Sequence, residues 1–509
     1  MAFDERTIPG CRSSGRRRSL SIGLLLAILL VNIAPHVHGS FSPVAHSAAK
    51  RRVFVPLVAG ARMSPPAPSA PPSPSPSPGP TPPPGGSLAA FPGAEGFGTT
   101  TPGGRGGRVL YVTTLADAGP GSLRSALTAS GPRIVLFQVA GTITLGDDIV
   151  ITSPFLTIAG QSAPGEGVQI QGGMLHIRTH DVVIRYLRLR PGDALNDSAV
   201  QTRDALTVNG TDQDDVYNVV LEHCSLIWGP DIGGASLLGG LHDITIQNTI
   251  IGEGLYLSNH PEGTAGQDGH SLGLNITQLN TSAYPTRITL HHNLLTTSDH
   301  RMPQIMGGAS IDVVNNVVYN WGVSPAQGNP RSVNLINNLF IKGPMTTSLV
   351  AWETRTNPEN PELRPGSVYE HGTVVEGLTT VRGDPQMVYA GTRFAPYSMR
   401  AEQTPQDAYA RIVQDVGATR PARDRVEQRI IDNLRNRQGS FLNGTDLVWP
   451  SLVLGPIAVD VDQDGMADVW ELQWFGTLSR GTPTDSSGDF DRDGYTDVEE
   501  YLNSSDPTR

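Results

Sequence analysis

Cysteine is nearly absent from this 509-residue chain: Cys11 and Cys224 are the only two. Cys11 falls in a segment expected to be removed, so no internal disulfide is expected to hold the mature chain; a large core makes that compatible with an extracellular life. Aromatic residues are also scarce at 6%, whereas Gly (57) and Pro (41) are plentiful. That balance argues against a helical bundle and for turn-rich β structure. Positive charge is short as well, with a formal net charge of -11. The charge is uneven: residues 1–52 carry +6, residues 458–509 carry -10, and the stretch between them -7. Nothing in this supports nucleic-acid binding. One apolar run stands out, the 15 residues Leu20–Ala34, shorter than the roughly 20 needed to cross a bilayer.

What is present divides the chain. Arg12 and Arg16–Arg18 followed by Leu20–Ala34 read as a secretory signal, with cleavage expected before Ser40. No membrane association is expected once it is removed. Arg17-Arg18 is a weak hint of twin-arginine export. Residues 40–86 form a linker whose Pro65–Gly86 part (PPAPSAPPSPSPSPGPTPPPGG) is low-complexity and extended. Folded structure is expected from Ser87. From Val109 to Phe340, short runs of Val, Ile, Leu and Thr alternate with Gly, Asn, Asp and Pro. Five of them align: NVVLEHCSLIW, DITIQNTIIGE, RITLHHNLLTT, IDVVNNVVYNW and VNLINNLFIKG. Cys224, Asn248, Asn293, Asn316 and Asn338 then occupy one position, at intervals of 24, 45, 23 and 22 residues. The long interval is two coils, or one coil with a long loop. A fixed period in this range marks a solenoid, and strand-rich coils without intervening helices predict a parallel β-helix over residues 87–450. Asn suits the turns because it tolerates left-handed φ and its amide can bond the amide one coil away. Asp407–Arg437 reads as one or two helices packed on the side or end of the solenoid.

Residues 456–509 carry two calcium-loop motifs, DVDQDGMADVWE and DFDRDGYTDVEE. Asp460, Asp462, Asp464, Asp468 and Glu471 fall at positions 1, 3, 5, 9 and 12 of the first; Asp489, Asp491, Asp493, Asp497 and Glu500 do so in the second. Calcium takes six to eight oxygens, which this spacing wraps round one ion; Gly at position 6 makes the bend and position 7 (Met466, Tyr495) gives a backbone carbonyl. Such a paired module is expected to be structural outside the cell.

The segments FPGAEGFG (Phe91–Gly98), GGRGG, DAGPGSLRSAL, IRYLRLRPGDA, RDALTV, EHCSLIWG, HHNLL, HRMP, NNVVYNW and RDRVEQRIIDNLRNRQG follow one another in this order. Taken together they resemble the secreted pectate lyases of polysaccharide lyase family one, from about Phe91 to the C-terminus. The resemblance implies a right-handed parallel β-helix and β-elimination on galacturonan (pectate), aided by Ca2+. It places the base at Arg301, which opens an Arg-x-Pro motif with Pro303. Arg is normally protonated, so Arg301 either acts as a deprotonated base or stabilises charge. His270 and Pro303 are expected to touch substrate, and Asp204 and Asp231 to hold calcium, with Asp193 in reserve.

The departures are specific. Met306 stands where a second Arg is expected, Thr202 precedes Asp204 by two, Ile232 replaces an acidic ligand, Ala235 or Ser236 replaces another, and the substrate-binding Lys has no match in HPEGTAGQDGHSLG, which offers Glu262 and His270 instead. The competing readings are a hydrolase built on Asp214, Asp215 or Asp268, and a non-catalytic polysaccharide-binding solenoid. His223, His291, His292 and Cys224 are expected to be structural. Trp228 and Trp321 are expected at coil corners, with a sugar platform as the alternative. A monomer is expected.

Overall fold

The computed structural model describes residues 88–509 except 196–197, 214, 265–268, 280, 351, 355–365, 379–380 and 382–385. The expected signal and the whole expected linker, residues 1–86, therefore lie outside the described residues. Three parallel sheets, of eleven, nine and eight strands, run the length of a right-handed β-helix. The chain visits them in rotation. Val216–Glu222 lies in the first sheet, Ser225–Ile227 in the second, Ile232–Leu238 in the third, and Leu241–Gln247 returns to the first. Val216 pairs with Leu241 and Ile311 with Val333, which are coil steps of the length the sequence period predicts. No helix among the described residues is long and apolar enough to cross a membrane.

Strand alternation sends one residue in two to the interior, where Ile, Leu and Val from successive coils stack into one continuous core. The turn between the first and second sheets is a single left-handed residue: His223, Asn248, His292, Asn315 and Asn337 all have φ near +50°. The next residue points inward and forms a ladder. Asn316 accepts through Oδ1 from the backbone N–H and the amide of Asn293, both at 3.0 Å. Asn338 does the same for Asn316, at 2.9 and 3.0 Å.

The structure corrects the aligned position in the second run from Asn248 to Thr249. Thr249 takes the ladder place, its hydroxyl accepting from Cys224 N–H at 3.2 Å and its N–H donating to Asn293 Oδ1 at 3.0 Å. Asn248 is the left-handed turn residue before it. A small hydroxyl does the work of the amide here, so an alignment keyed on Asn slips by one. The long interval is one coil with a long loop, because Ile250 pairs directly with Leu294. Asn316→Ala is expected to cost roughly 3 kcal/mol, since it leaves the buried Asn293 donors without an acceptor; a denaturant midpoint at the wild-type value would sink the ladder argument.

Helices Pro405–Asp415 and Arg425–Asn436 pack on the side of the solenoid, against the outer face of the second sheet. Ile412, Val426, Ile430, Ile431 and Leu434 cover Ile227, Ile250, Leu294, Val317 and Ile341. Asp424 caps the second helix in a reciprocal box with Glu427. Both carboxylates are buried against two fully buried guanidinium groups, with Arg190 Nη1 2.5 Å from Asp424 and Arg188 Nε 3.0 Å from Glu427.

Candidate active site and calcium loops

Four neighbouring strands of the third sheet, Leu206–Asn209, Ile232–Leu238, Leu272–Thr277 and Gln304–Met306, belong to consecutive coils. Each is preceded, within two or three residues, by a residue singled out from the sequence: Asp204, Asp231, His270 and Arg301. The topology thus sets these four in a row across the coils, although 97 residues separate the first from the last.

Arg301 sits in the left-handed region (φ 63°) and is half-buried. Its backbone is tied down on both sides. Its carbonyl accepts from Leu274 N–H at 2.6 Å, and the next side chain, Met302, is fully buried in the core. Gly273 makes this approach possible, because a Cβ there would lie 2.6 Å from the Arg301 carbonyl oxygen. Pro303, expected at the substrate surface, is buried instead, with its carbonyl accepting from Gln327 N–H at 3.0 Å. It shapes the loop. Met306 alternates with the buried Ile305 and so shares the outer face of the sheet with Gln304. Gln304 donates to Asn275 at 2.9 Å and accepts from Gln327 at 2.5 Å. This amide row was missed from sequence; the polar–apolar–polar alternation around Ile305 was its only signal.

His270 lies between two carboxylates, Asp231 Oδ1 on Nε2 and Glu262 Oε2 on Nδ1, each at 3.1 Å. The ring of His260 stacks on it at 3.9 Å. Burial, then the neighbouring His270, lowers the pKa of His260. His260 was not anticipated, because its pairing with His270 spans a loop with no local pattern. Asp204 is buried; its oxygens accept from Ile232 N–H at 3.0 Å and the Thr207 hydroxyl at 2.7 Å. Burial, then the charge of Asp231, raises its pKa well above the carboxylate range. Arg203, paired with Asp148 at 3.1 Å, anchors this strand end.

These donors do not form a calcium cage. Both Asp204 oxygens are engaged within the protein, and two of the three groups that converge, Asp231, His260 and His270, offer imidazole nitrogen. Calcium takes oxygen ligands. Asp193, the reserve ligand, packs against Gly444 instead.

The C-terminal loops differ. Ligand oxygens of Asp460, Asp462 and Asp464 converge within 4.8 Å, as do those of Asp489, Asp491 and Asp493. Gly465 and Gly494 make the bend at φ 105° and 102°. Buried oxygens of Asp460, Asp462, Asp464, Asp491 and Glu500, and both oxygens of Glu471, have no hydrogen-bond partner. Burial and then mutual repulsion push Asp464 to about 7 and Glu471 and Glu500 to about 8. Orphaned, buried, mutually repelling carboxylates are the arrangement a hard cation satisfies. Asp468 and Asp497 turn inward to accept from Val461 and Phe490 N–H at 2.9 Å, and Asp497 also pairs with Arg480; they close the loops. Met466 buries its side chain, while Tyr495 lies under the guanidinium of Arg105.

The other described candidates are packed or paired within the fold. Trp228 and Trp321 are buried, donating to Glu253 and to the Ser348 carbonyl. Cys224 is buried and free. His223 pairs with Glu222 and Asp415, and His291 with His292. Asp215 accepts from Thr211 in a turn; Asp214 and Asp268 lie outside the described residues.

Arg301 thus follows, on the next coil, a cluster of Asp231, His260 and His270 on one sheet of a parallel β-helix. Comparison with known proteins narrows this. The chain is 33% identical over 447 residues to a protein of Aspergillus terreus named probable pectate lyase C, covering 83% of this chain and 95% of that one. A protein of the same name from Aspergillus flavus is 31% identical over 439 residues, with the same coverage. This chain belongs to the pectate lyase family and is a pectate lyase-like lyase. No family model matches it. Among solved structures, the cedar pollen allergen jun a 1 covers 64% of this chain and 92% of its own at 19% identity and a TM-score of 0.48. A thermostable pectate lyase, PL 47, gives 65%, 98%, 16% and 0.46.

Proposed function

We propose that this protein cleaves galacturonan by β-elimination, with Arg301 taking the proton from C5 of the uronate. The electron pair of the C5–H bond forms the new C4–C5 double bond. The C4–O bond breaks, the departing oxygen takes a proton from water, and Arg301, neutral before the step, returns the C5 proton to solvent. The observation that carries the reading is the placement of Arg301. It projects from a loop pinned by Met302 and by Leu274 N–H, one coil beyond the His270–Asp231 pair. Such fixing places a base within reach of a proton without reorganisation. His270 contacts the substrate. Among the described residues the Asp204–Asp231 end offers no calcium oxygen cage, and no step is assigned to an ion there. Calcium belongs to the two C-terminal loops, whose orphaned oxygens fit it. The apolar run and basic residues before Ser40 support secretion, where an acidic polysaccharide is met, and the protein acts as a monomer.

The test is purified protein on polygalacturonate. Elimination creates a conjugated uronate with ultraviolet absorbance and new chain ends in equal number. Chain ends without absorbance would replace this reading by hydrolysis, and neither signal on any pectic substrate would make the solenoid a binding protein.

A further inference from the structure

The first strand of the first sheet, Arg108–Val112, is the outermost, paired on one side only with Arg133–Phe137. Such an edge exposes unpaired backbone groups and needs cover. The segment between the two calcium loops supplies it. Val109 N–H donates to the Pro483 carbonyl at 2.9 Å, and the Ser486 hydroxyl donates to the Gly107 carbonyl at 2.6 Å.

The outer face of these first coils is apolar where solvent would otherwise lie. Val109, Ile134, Leu136 and Ala159 form one cluster with Met466, Val498 and Leu502. Met466 is position 7 of the first loop, and Val498 lies in the helix that ends the second. The loops also reach the solenoid by polar contacts. The Tyr111 hydroxyl donates to Asp460, the first ligand position. Arg105 Nε bonds both oxygens of Glu499, at 3.0 and 2.8 Å, beside the last ligand position Glu500. Arg185 reaches Asn503 at 2.5 Å.

We propose that the paired calcium loops are a metal-dependent clamp on the N-terminal end of the solenoid, so that calcium binding holds the Arg108–Val112 edge and the coil behind it closed. The ligand chemistry and the docking surface are one piece of chain. The backbone bends that converge the carboxylates also present Met466 and Val498 to the sheet. Asp464, 1% exposed with one oxygen orphaned, sits in the bend of the first loop, and Glu471, 0% exposed with both orphaned, lies in the helix Asp468–Trp474 that follows it. Without a cation the bend brings like charges together out of water, so the docked form is favoured only when the ion is bound. Of the module's apolar side chains, Met466, Val498 and Leu502 are buried against its own solenoid. This inference rests on the calcium reading of the loops and is independent of the elimination chemistry.

Hydrogen exchange on the full chain, with calcium and with a chelator, tests it. On chelation, backbone amides of 108–112 and 133–137 should exchange roughly tenfold faster or more, together with 460–503, while 311–341 stays protected. Calcium should raise the unfolding midpoint, and the Glu471→Gln/Glu500→Gln double variant should lose that rise. The variant Val109→Ser should bind calcium yet show a smaller midpoint rise, which separates clamping from binding. If calorimetry shows calcium binding while exchange at 108–112 is unchanged, the clamp is overturned and the calcium loops stand. If no calcium binds, both fall, and the lyase assay is untouched by either outcome.

Discussion

Arg301→Ala is expected to lower elimination on polygalacturonate by about 10²- to 10⁴-fold, the usual contribution of a positioned acid or base, while the unfolding midpoint stays near wild type. The fold should tolerate the change because the loop keeps several anchors outside the Arg301 side chain. Met302 fills the core, Pro303 is buried, and the carbonyl at 301, which alanine keeps, accepts from Leu274. Arg301→Lys discriminates between the roles. A lysine keeps a positive charge but gives up its proton about two pH units earlier, so an activity–pH limb moved to lower pH would mark proton removal and an unmoved one charge stabilisation. Activity retained in the alanine variant would remove Arg301 from the chemistry. Loss of activity with loss of fold would instead make it a structural residue.

Asp424→Ala is expected to destabilise the protein by about 3–5 kcal/mol, because it leaves Arg190 buried and charged without its partner. It also removes the cap that accepts from Val426 and Glu427 N–H, each at 3.0 Å. Burial alone would raise the pKa of Asp424, but Arg190 and Arg188 outweigh it and hold the carboxyl below its ordinary range. The sign follows from linkage. A depressed folded pKa gives stability that is fully present above the unfolded value of about 4 and is lost as the pH falls through the folded value. Wild type should therefore weaken below about pH 4, and Asp424→Ala should show a shallower acid loss from a lower starting stability. Denaturant titrations across that range measure both. A cost under about 1 kcal/mol, the usual size for an exposed pair, would mean that water reaches the network.

The parts legible without coordinates were those written in local spacing. The coil period shows through Asn293, Asn316 and Asn338 because each turn imposes the same left-handed bend. The calcium-loop motifs show because their residues lie within twelve positions, whereas Arg301 was singled out by the family resemblance of its Arg-x-Pro loop and the motifs around it. Asn248 misled for the same reason: the ladder needs a small polar side chain, not an amide, and Thr249 meets that need one residue later.

Tertiary structure alone decided which side chains meet. His260 stacks on His270, and Asp231 joins them from the previous coil. Arg105 meets Glu499, and Val109 meets Met466, across almost the whole folded chain. A sequence determines a period, a turn or a ligand loop through neighbours that share one backbone conformation. Contacts between distant coils depend on how many coils intervene and where the last segment turns back. The sequence of this protein thus determined a solenoid with a tail of two calcium-loop motifs, and its family resemblance singled out Arg301 and His270. The packing of that tail against the first coils, and the stacking of His260 on His270, came only from the fold.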